Sequence, residues 1–253
     1  MLSITELPAF TDNYIWAIHD TQQAWVVDPG QAEPVQRWLA SGGLKLRGIL
    51  LTHHHGDHIG GVAALRTQFP GIEIIGPLAG RQAGTMPWLT QAVKDRDAVQ
   101  LAPWGVTLQV LATPGHTLDH ICYFAVGTAD GTGIDSPALF CGDTLFAAGC
   151  GRLFEGSPEQ MWTSLSVLAE LPSATRMFCA HEYTVANLRF ATHVEPANTR
   201  TAERLAACIA LRAQGRCTLP STIETELETN PFLRAGSAAE FARRRALKDV
   251  FRA

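Results

Sequence analysis

Apolar residues along the chain fall into short runs that stop at polar clusters carrying histidine or aspartate. Residues 14–18 and 24–27 are two such runs, split by the polar stretch 19–23, and they predict short strands. Asp28-Pro29-Gly30 stops the second. A helical pattern over 33–40 ends at Ser41-Gly42-Gly43, and the apolar run 46–51 empties into a histidine-rich segment. A second helix is expected over about 60–69 and a strand over 72–75. Further on, the runs 106–111 and 121–126 predict sheet strands joined through Thr113-Pro114-Gly115-His116-Thr117. The Gly- and Asp-rich stretch 127–137 predicts a turn, and 138–141 a strand ending at Gly142-Asp143.

The pattern then changes. A helix over 159–170 starts at Pro158 and stops at Leu171-Pro172, and a last strand over 176–180 ends at His181. Beyond it strand signals fade, and 185–190, 199–214 and 237–251 read as helices. The chain is therefore divided near residue 175, into a mixed catalytic part (1–175) and a mainly helical part (176–253).

Composition narrows the class. The chain has 253 residues, 46% hydrophobic and 17% charged, which excludes disorder, collagen and coiled coil as its main state. A net charge of -4 offers no bulk attraction to nucleic acid. That charge is uneven: residues 1–180 carry nine basic and 16 acidic side chains, residues 181–253 carry 11 and eight. No run approaches the roughly 18–20 apolar residues of a spanning helix, and no positive segment precedes an apolar block at the N-terminus, so a cytoplasmic protein without membrane contact is expected. Six scattered cysteines without a Cys-x-x-Cys pair are expected to be free thiols.

Chemistry concentrates at His53-x-His55-x-Asp57-His58. Four of the nine histidines fall at 53–58, directly after a strand. Such a loop can turn His53 and His55 toward one centre and Asp57 and His58 toward another, with His54 pointing elsewhere. Imidazole and carboxylate donors without thiolate suit zinc, with iron or manganese also possible. His116, Asp143 and His181 recur at the ends of predicted strands, where strands of one core deliver their loops to one rim. Seven donors exceed one tetrahedral ion and fit two ions sharing a bridging carboxylate. Asp28 either orients a ligand imidazole or belongs to an ordinary strand-end turn.

Thr52-His53-His54-His55-Gly56-Asp57-His58, Thr113-Pro114-Gly115-His116-Thr117, Cys141-Gly142-Asp143-Thr144-Leu145-Phe146 and Ala180-His181-Glu182-Tyr183 together resemble the motifs of the metallo-beta-lactamase superfamily. They resemble more closely those of the glyoxalase II, or hydroxyacylglutathione hydrolase, family. The resemblance covers essentially the whole chain, Asn230-Pro231-Phe232-Leu233-Arg234 included. It implies an α/β fold, a four-layer αββα sandwich followed by a C-terminal helical domain. It also implies two divalent ions, one on His53, His55 and His116, the other on Asp57, His58 and His181, with Asp143 bridging.

The same resemblance implies a substrate. Arg152 and Phe154 lie in a loop that resembles the family's glutathione loop, where tyrosine is frequent at the position of Phe154. Tyr183 matches another substrate contact, and Arg245 with Lys248 match a basic pair for the glycine carboxylate. Arg243 and Arg244 are read as solvated or structural. The implied reaction is hydrolysis of S-(2-hydroxyacyl)glutathione, typically S-D-lactoylglutathione, to glutathione and D-lactate, by a hydroxide between the two ions. Asp57 and Asp143, as ligands, are also the groups able to pass a proton. A monomer is expected. The alternatives are a glutathione persulfide dioxygenase-like enzyme with one iron, or another hydrolase of the same fold.

Overall fold

Two six-stranded sheets packed face to face carry the chain in the computed structural model, which describes residues 1–128 and 133–252. The first contains β1 (Ser3–Ala9), β2 (Asn13–His19), β3 (Gln23–Val27), β4 (Lys45–Leu50), β5 (Glu73–Pro77) and β6 (Gln91–Val93), side by side in that order. β1, β2 and β3 pair antiparallel, and β3 to β6 run parallel. Helices α1 (Ala32–Gly42), α2 (Gly56–Ile59), α3 (Val62–Gln68) and α4 (Leu78–Gln82) fall between its strands.

In the second sheet are β7 (Ala98–Leu101), β8 (Val106–Ala112), β9 (Ile121–Ala125), β10 (Ala138–Gly142), β13 (Arg176–Cys179) and β14 (Ser221–Thr222). A small separate hairpin, β11 (Leu145–Phe146) with β12 (Gly149–Cys150), follows the end of β10. Of the turn expected over 127–137, residues 129–132 lie outside the described residues. Helix α5 (Pro158–Ala169) precedes β13; α6 (Thr184–Val194), α7 (Thr199–Ala213), α8 (Ile223–Thr229) and α9 (Ala238–Val250) make up most of the remainder.

The layering follows from burial on both faces of the central strands. In β2, Trp16 and Ile18 join the core between the sheets with Leu108, Val110 and Phe140, whereas Ile15 and Ala17 pack with Val35, Leu39, Val62 and Leu65 of α1 and α3. A strand covered on both sides needs no polar alternation, which is why 14–18 reads as a continuous apolar run. On the far side of the second sheet, Met161 and Leu165 of α5 and Phe241 of α9 complete a fourth layer. The fold is the αββα sandwich with a helical C-terminal region.

Several elements exceed the sequence expectation. β1 is an edge strand with alternating exposure and carries Glu6 and Pro8, so no sustained apolar signal marks it. β14 is two residues long and pairs antiparallel with β13, so a piece of the C-terminal region completes the second sheet. α8 starts where the Thr222 side chain accepts from Thr225 N.

Candidate metal centre and adjoining cleft

Four strand ends converge. β4 runs into His53, His55, Asp57 and His58; β8 into the loop with His116; β10 into Asp143; β13 into His181. β8, β10 and β13 point the same way, because β8 and β10 each pair antiparallel with β9 and β10 runs parallel to β13. Their C-terminal ends therefore open on one rim.

All seven candidate ligands meet there. One donor atom each of His53, His55 and His116 lies within 4.8 Å of the others, and the same holds for Asp57, His58 and His181. Asp143 stands between the two groups: its Oδ2 is 3.4 Å from His116 Nε2, and its Oδ1 is 3.4 Å from both His58 Nε2 and His181 Nε2. His116 Nε2 and His55 Nδ1 approach to 3.0 Å. His53 Nε2, His58 Nε2 and Asp143 Oδ1 are buried without hydrogen-bond partners. Buried polar atoms left without partners cost stability, so donors aimed at one another in this way fit divalent cations.

Outer contacts hold the rings in register. Asp28 Oδ2 accepts from His58 Nδ1 at 3.0 Å and from Thr52 Oγ1 at 2.7 Å, so of the two readings of Asp28 the imidazole contact is the one formed. Arg152 O accepts from His116 Nδ1 at 2.7 Å and Asp12 Oδ1 from His181 Nδ1 at 2.8 Å. Thr52 Oγ1 is 3.0 Å from His53 Nδ1. Each bond leaves an Nε2 lone pair facing inward. His54 turns away, toward Asp119 at 3.0 Å and Glu155 at 3.4 Å.

Charge divides the two groups. Burial pushes the pKa values of His53, His55 and His116 down, so their rings are neutral and able to ligate near neutral pH. Burial also opposes charge on His58 and His181, but Asp143 with Asp28 overcomes it for His58, and Asp143 with Asp57 raises His181 to about 10. Asp57 is held below the usual carboxylate range by the His181 hydrogen bond, and Asp143, despite burial, by His58 and His181.

Asp12, Asn13 and His120 belong to this constellation and escaped the sequence reading. Asn13 Nδ2 donates to Asp57 Oδ2 at 3.1 Å, and Asp143 N donates to His120 Nε2 at 3.1 Å. No spacing marks Asp12, in the turn before β2, or Asn13, the first residue of that strand. His120 had a signal, four residues after His116 at a strand start.

A cavity of about 400 Å³ opens beside the centre and is lined by His116 and Asp143 together with Arg152, Phe154, Tyr183, Arg245 and Lys248. Tyr183 stacks on His181 with centroids 4.7 Å apart, and Phe154 stands edge-on to His116 at 5.3 Å. Arg245 is buried, gives Nη1 to Cys150 O at 3.0 Å and pairs with Asp249 at 2.9 Å. Lys248 Nζ lies 3.2 Å from Ala186 O and over the Phe190 ring, and burial lowers its pKa to about 8. Arg152 is exposed and 3.5 Å from Asp249. Arg244 pairs with Glu195 at 2.6 Å, and Arg243 with Glu240 at 2.7 Å, both away from this cavity.

Two family models match consecutive stretches of the chain. The family described as "Metallo-beta-lactamase superfamily" matches residues 10–181, and "Hydroxyacylglutathione hydrolase C-terminus" matches 182–252. A hydroxyacylglutathione hydrolase of Cupriavidus taiwanensis is 53% identical over 245 residues, covering 94% of this chain and 89% of that protein. One from Pseudomonas putida strain GB-1 is 52% identical over 237 residues, covering 92% and 86%. Among solved structures, ETHE1 from Myxococcus xanthus superimposes with a TM-score of 0.71 at 26% identity, covering 100% of this chain and 92% of that one. TTHA1623 in a di-iron-bound form gives 0.54 at 25% identity, covering 71% and 91%.

Proposed function

This chain belongs to the hydroxyacylglutathione hydrolases of the metallo-beta-lactamase superfamily, and from that premise we propose that it hydrolyses the thioester of S-(2-hydroxyacyl)glutathione, typically S-D-lactoylglutathione, to glutathione and a 2-hydroxy acid. His53, His55 and His116 would hold one divalent ion and Asp57, His58 and His181 a second, with Asp143 shared; zinc is the first choice, iron or manganese the others. Such ions supply Lewis-acid polarisation of the carbonyl and lower the pKa of a water from about 15.7 toward 7.

The chain's own residues bind and orient. Lys248 and Arg152 attract the glycine carboxylate at the cavity mouth, while Arg245 holds the Cys150 backbone and so the loop that carries Arg152. Tyr183, against His181, places the thioester end beside the centre. Asp57 and Asp143 stay ionised beside His58 and His181, as ligands to the ions require, and they are the carboxylates placed to pass a proton at the centre. The leaving thiol has an ordinary pKa of about 8.5, so its thiolate departs without a strong general acid. Residues 1–175 together with His181 would then build the hydrolytic centre, and the rest of 176–253 would help Arg152 and Phe154 select the tripeptide, in a monomeric protein whose unpaired thiols suit the cytoplasm.

The observation that carries the two-ion reading is Asp143, whose oxygens divide between the groups at 3.4 Å each. The test follows the loss of thioester absorbance of S-D-lactoylglutathione, with metal content measured on the same sample. Two ions per chain with hydrolysis is the expected result. One iron with thiol-dependent oxygen uptake would overturn it.

A further inference from the structure

We infer that His120, outside both candidate ligand groups, is the positioning residue that fixes where Asp143 stands. His120 is 1% exposed and lies beneath the centre, its ring stacked on His53 at 4.8 Å and 25°. Its Nε2 accepts from the backbone N–H of Asp143 at 3.1 Å. A backbone amide can only donate, so Nε2 carries no proton and the proton of the neutral ring sits on Nδ1. That Nδ1 has two hydroxyl acceptors, Thr113 Oγ1 at 2.9 Å and Thr144 Oγ1 at 3.0 Å. Thr113 precedes the His116 loop and Thr144 follows Asp143, so one ring ties together two of the loops that deliver donors.

The turn is seated on the ring with no slack. Gly142 has φ +46°, and a Cβ added there would stand 2.4 Å from Thr52 Oγ1 and 2.8 Å from His120 Nε2. The backbone just before Asp143 is therefore pressed between the residue preceding His53 and His120 itself. Asp143 reaches both ligand groups only if its Cα is placed correctly, and no side-chain torsion can make up for a displaced turn. Thr144 N donating to Cys141 O and Ala180 N to Gly142 O fix the flanks of the turn, His120 holds the Asp143 amide itself, and it backs His53 through the stack.

The inference rests on the proposed metal centre and not on the identity of the substrate. Two substitutions separate the ring's two edges: His120→Gln can keep an acceptor near Nε2 but loses the Nδ1 donor, and His120→Asn keeps a donor near Nδ1 but loses the acceptor. Zinc affinity is measured by competition with a chromophoric chelator, the cobalt-substituted visible spectrum is recorded, and melting of the metal-free proteins reports on folding. H120N should bind zinc about 10- to 100-fold more weakly, with an altered cobalt spectrum and kcat reduced more than KM is raised, whereas H120Q stays close to the parent. Equal zinc affinity in the two variants, whether parental or weakened alike, would overturn the role. If H120N does not fold, H120Q decides alone: parental affinity supports the inference and lost affinity defeats it. A parent that binds zinc but does not cleave the thioester would refute the substrate reading and leave this comparison standing.

Discussion

At the scale of single residues, the cavity separates two cations that look alike in the sequence. Arg245 and Lys248 are three apart on α9, but Arg245 is committed to Cys150 O and Asp249, while Lys248 has one carbonyl and two aromatic rings around it. Replacing Lys248 with alanine removes a charge-assisted contact of about 1.5–3 kcal/mol, so KM should rise roughly tenfold or more at pH 7 with kcat and metal content near parental. Arg245→Ala should lower kcat as well, because the loop it holds reaches Arg152, whose carbonyl accepts from His116. Steady-state kinetics on metal-assayed samples separates the two; a parental KM in K248A sinks the anion-binding role. Lys248 also gives a sign for pH. Its pKa is pulled down to about 8 by burial first and Arg245 second, so its charge is present below pH 8 and lost above it. KM should be flat below that point and climb above it, and the climb should vanish in K248A. Cys150 and Asp249 face the same group, and the Cys150 thiol, pushed up to about 11 by burial, stays neutral across that window. Phe154 is a milder case. At 62% exposure it has no room-limited partner, so Phe154→Tyr should lower KM only about two- to threefold, as one exposed hydrogen bond allows.

At the scale of elements, what the sequence discloses and what it hides both follow from packing. The seven candidate ligands were legible because metal chemistry needs particular side chains, and the strands that deliver them read as short apolar or alternating runs that stop at those residues. The substrate candidates were legible only through the family resemblance of their segments, and they line one cavity. Asp12 and Asn13 were not legible, since hydrogen bonds to a candidate ligand can come from any nearby segment and leave no period, and His120 carried only its spacing from His116. Close backbone approaches were equally hidden. At Gly30 an added Cβ would meet Asp57 O at 1.8 Å, and at Gly151 it would meet Asp143 O at 2.0 Å, both main-chain atoms of ligand residues. At Gly56, inside the ligand motif itself, nothing lies within 4 Å. Gly30→Ala and Gly151→Ala should therefore cost at least about 1–3 kcal/mol and lower bound metal, as overpacking against a backbone does, while Gly56→Ala is tolerated. Melting curves and metal analysis of the three variants check this, and equal behaviour at Gly56 and Gly151 would count against backbone approach as the cause.

At the scale of the molecule, the acidic front and basic tail are joined by buried polar contacts as well as by a linker. Glu226 of α8 is fully buried and accepts from Ala148 N at 2.7 Å, Asn230 Nδ2 at 3.0 Å and Arg204 Nη2 at 2.7 Å. Asn230 Nδ2 also reaches Phe146 O at 3.1 Å and Gly149 O at 2.9 Å. These bonds grip the β11–β12 turn, where Ala148 has φ +53°, from the C-terminal side. The turn lies between Asp143 and Arg152, so the helical region supports the centre as well as facing its substrate. Removing the carboxylate leaves the Ala148 N–H buried without its acceptor and Arg204 with only the Thr229 and Ser221 hydroxyls, a loss of about 3–5 kcal/mol when one side of a buried pair is deleted. For a chain of this length each kcal/mol shifts melting by about 2–4 °C, so Glu226→Ala should melt at least about 6 °C below the parent. Glu226→Gln keeps one oxygen to accept from Ala148 N and Asn230 Nδ2 and should lose less. A calorimetric scan of metal-free protein isolates this from ion binding; E226A melting with the parent would mean that the buried carboxylate carries none of the grip on the β11–β12 turn, leaving it to Asn230, Arg245 and apolar packing.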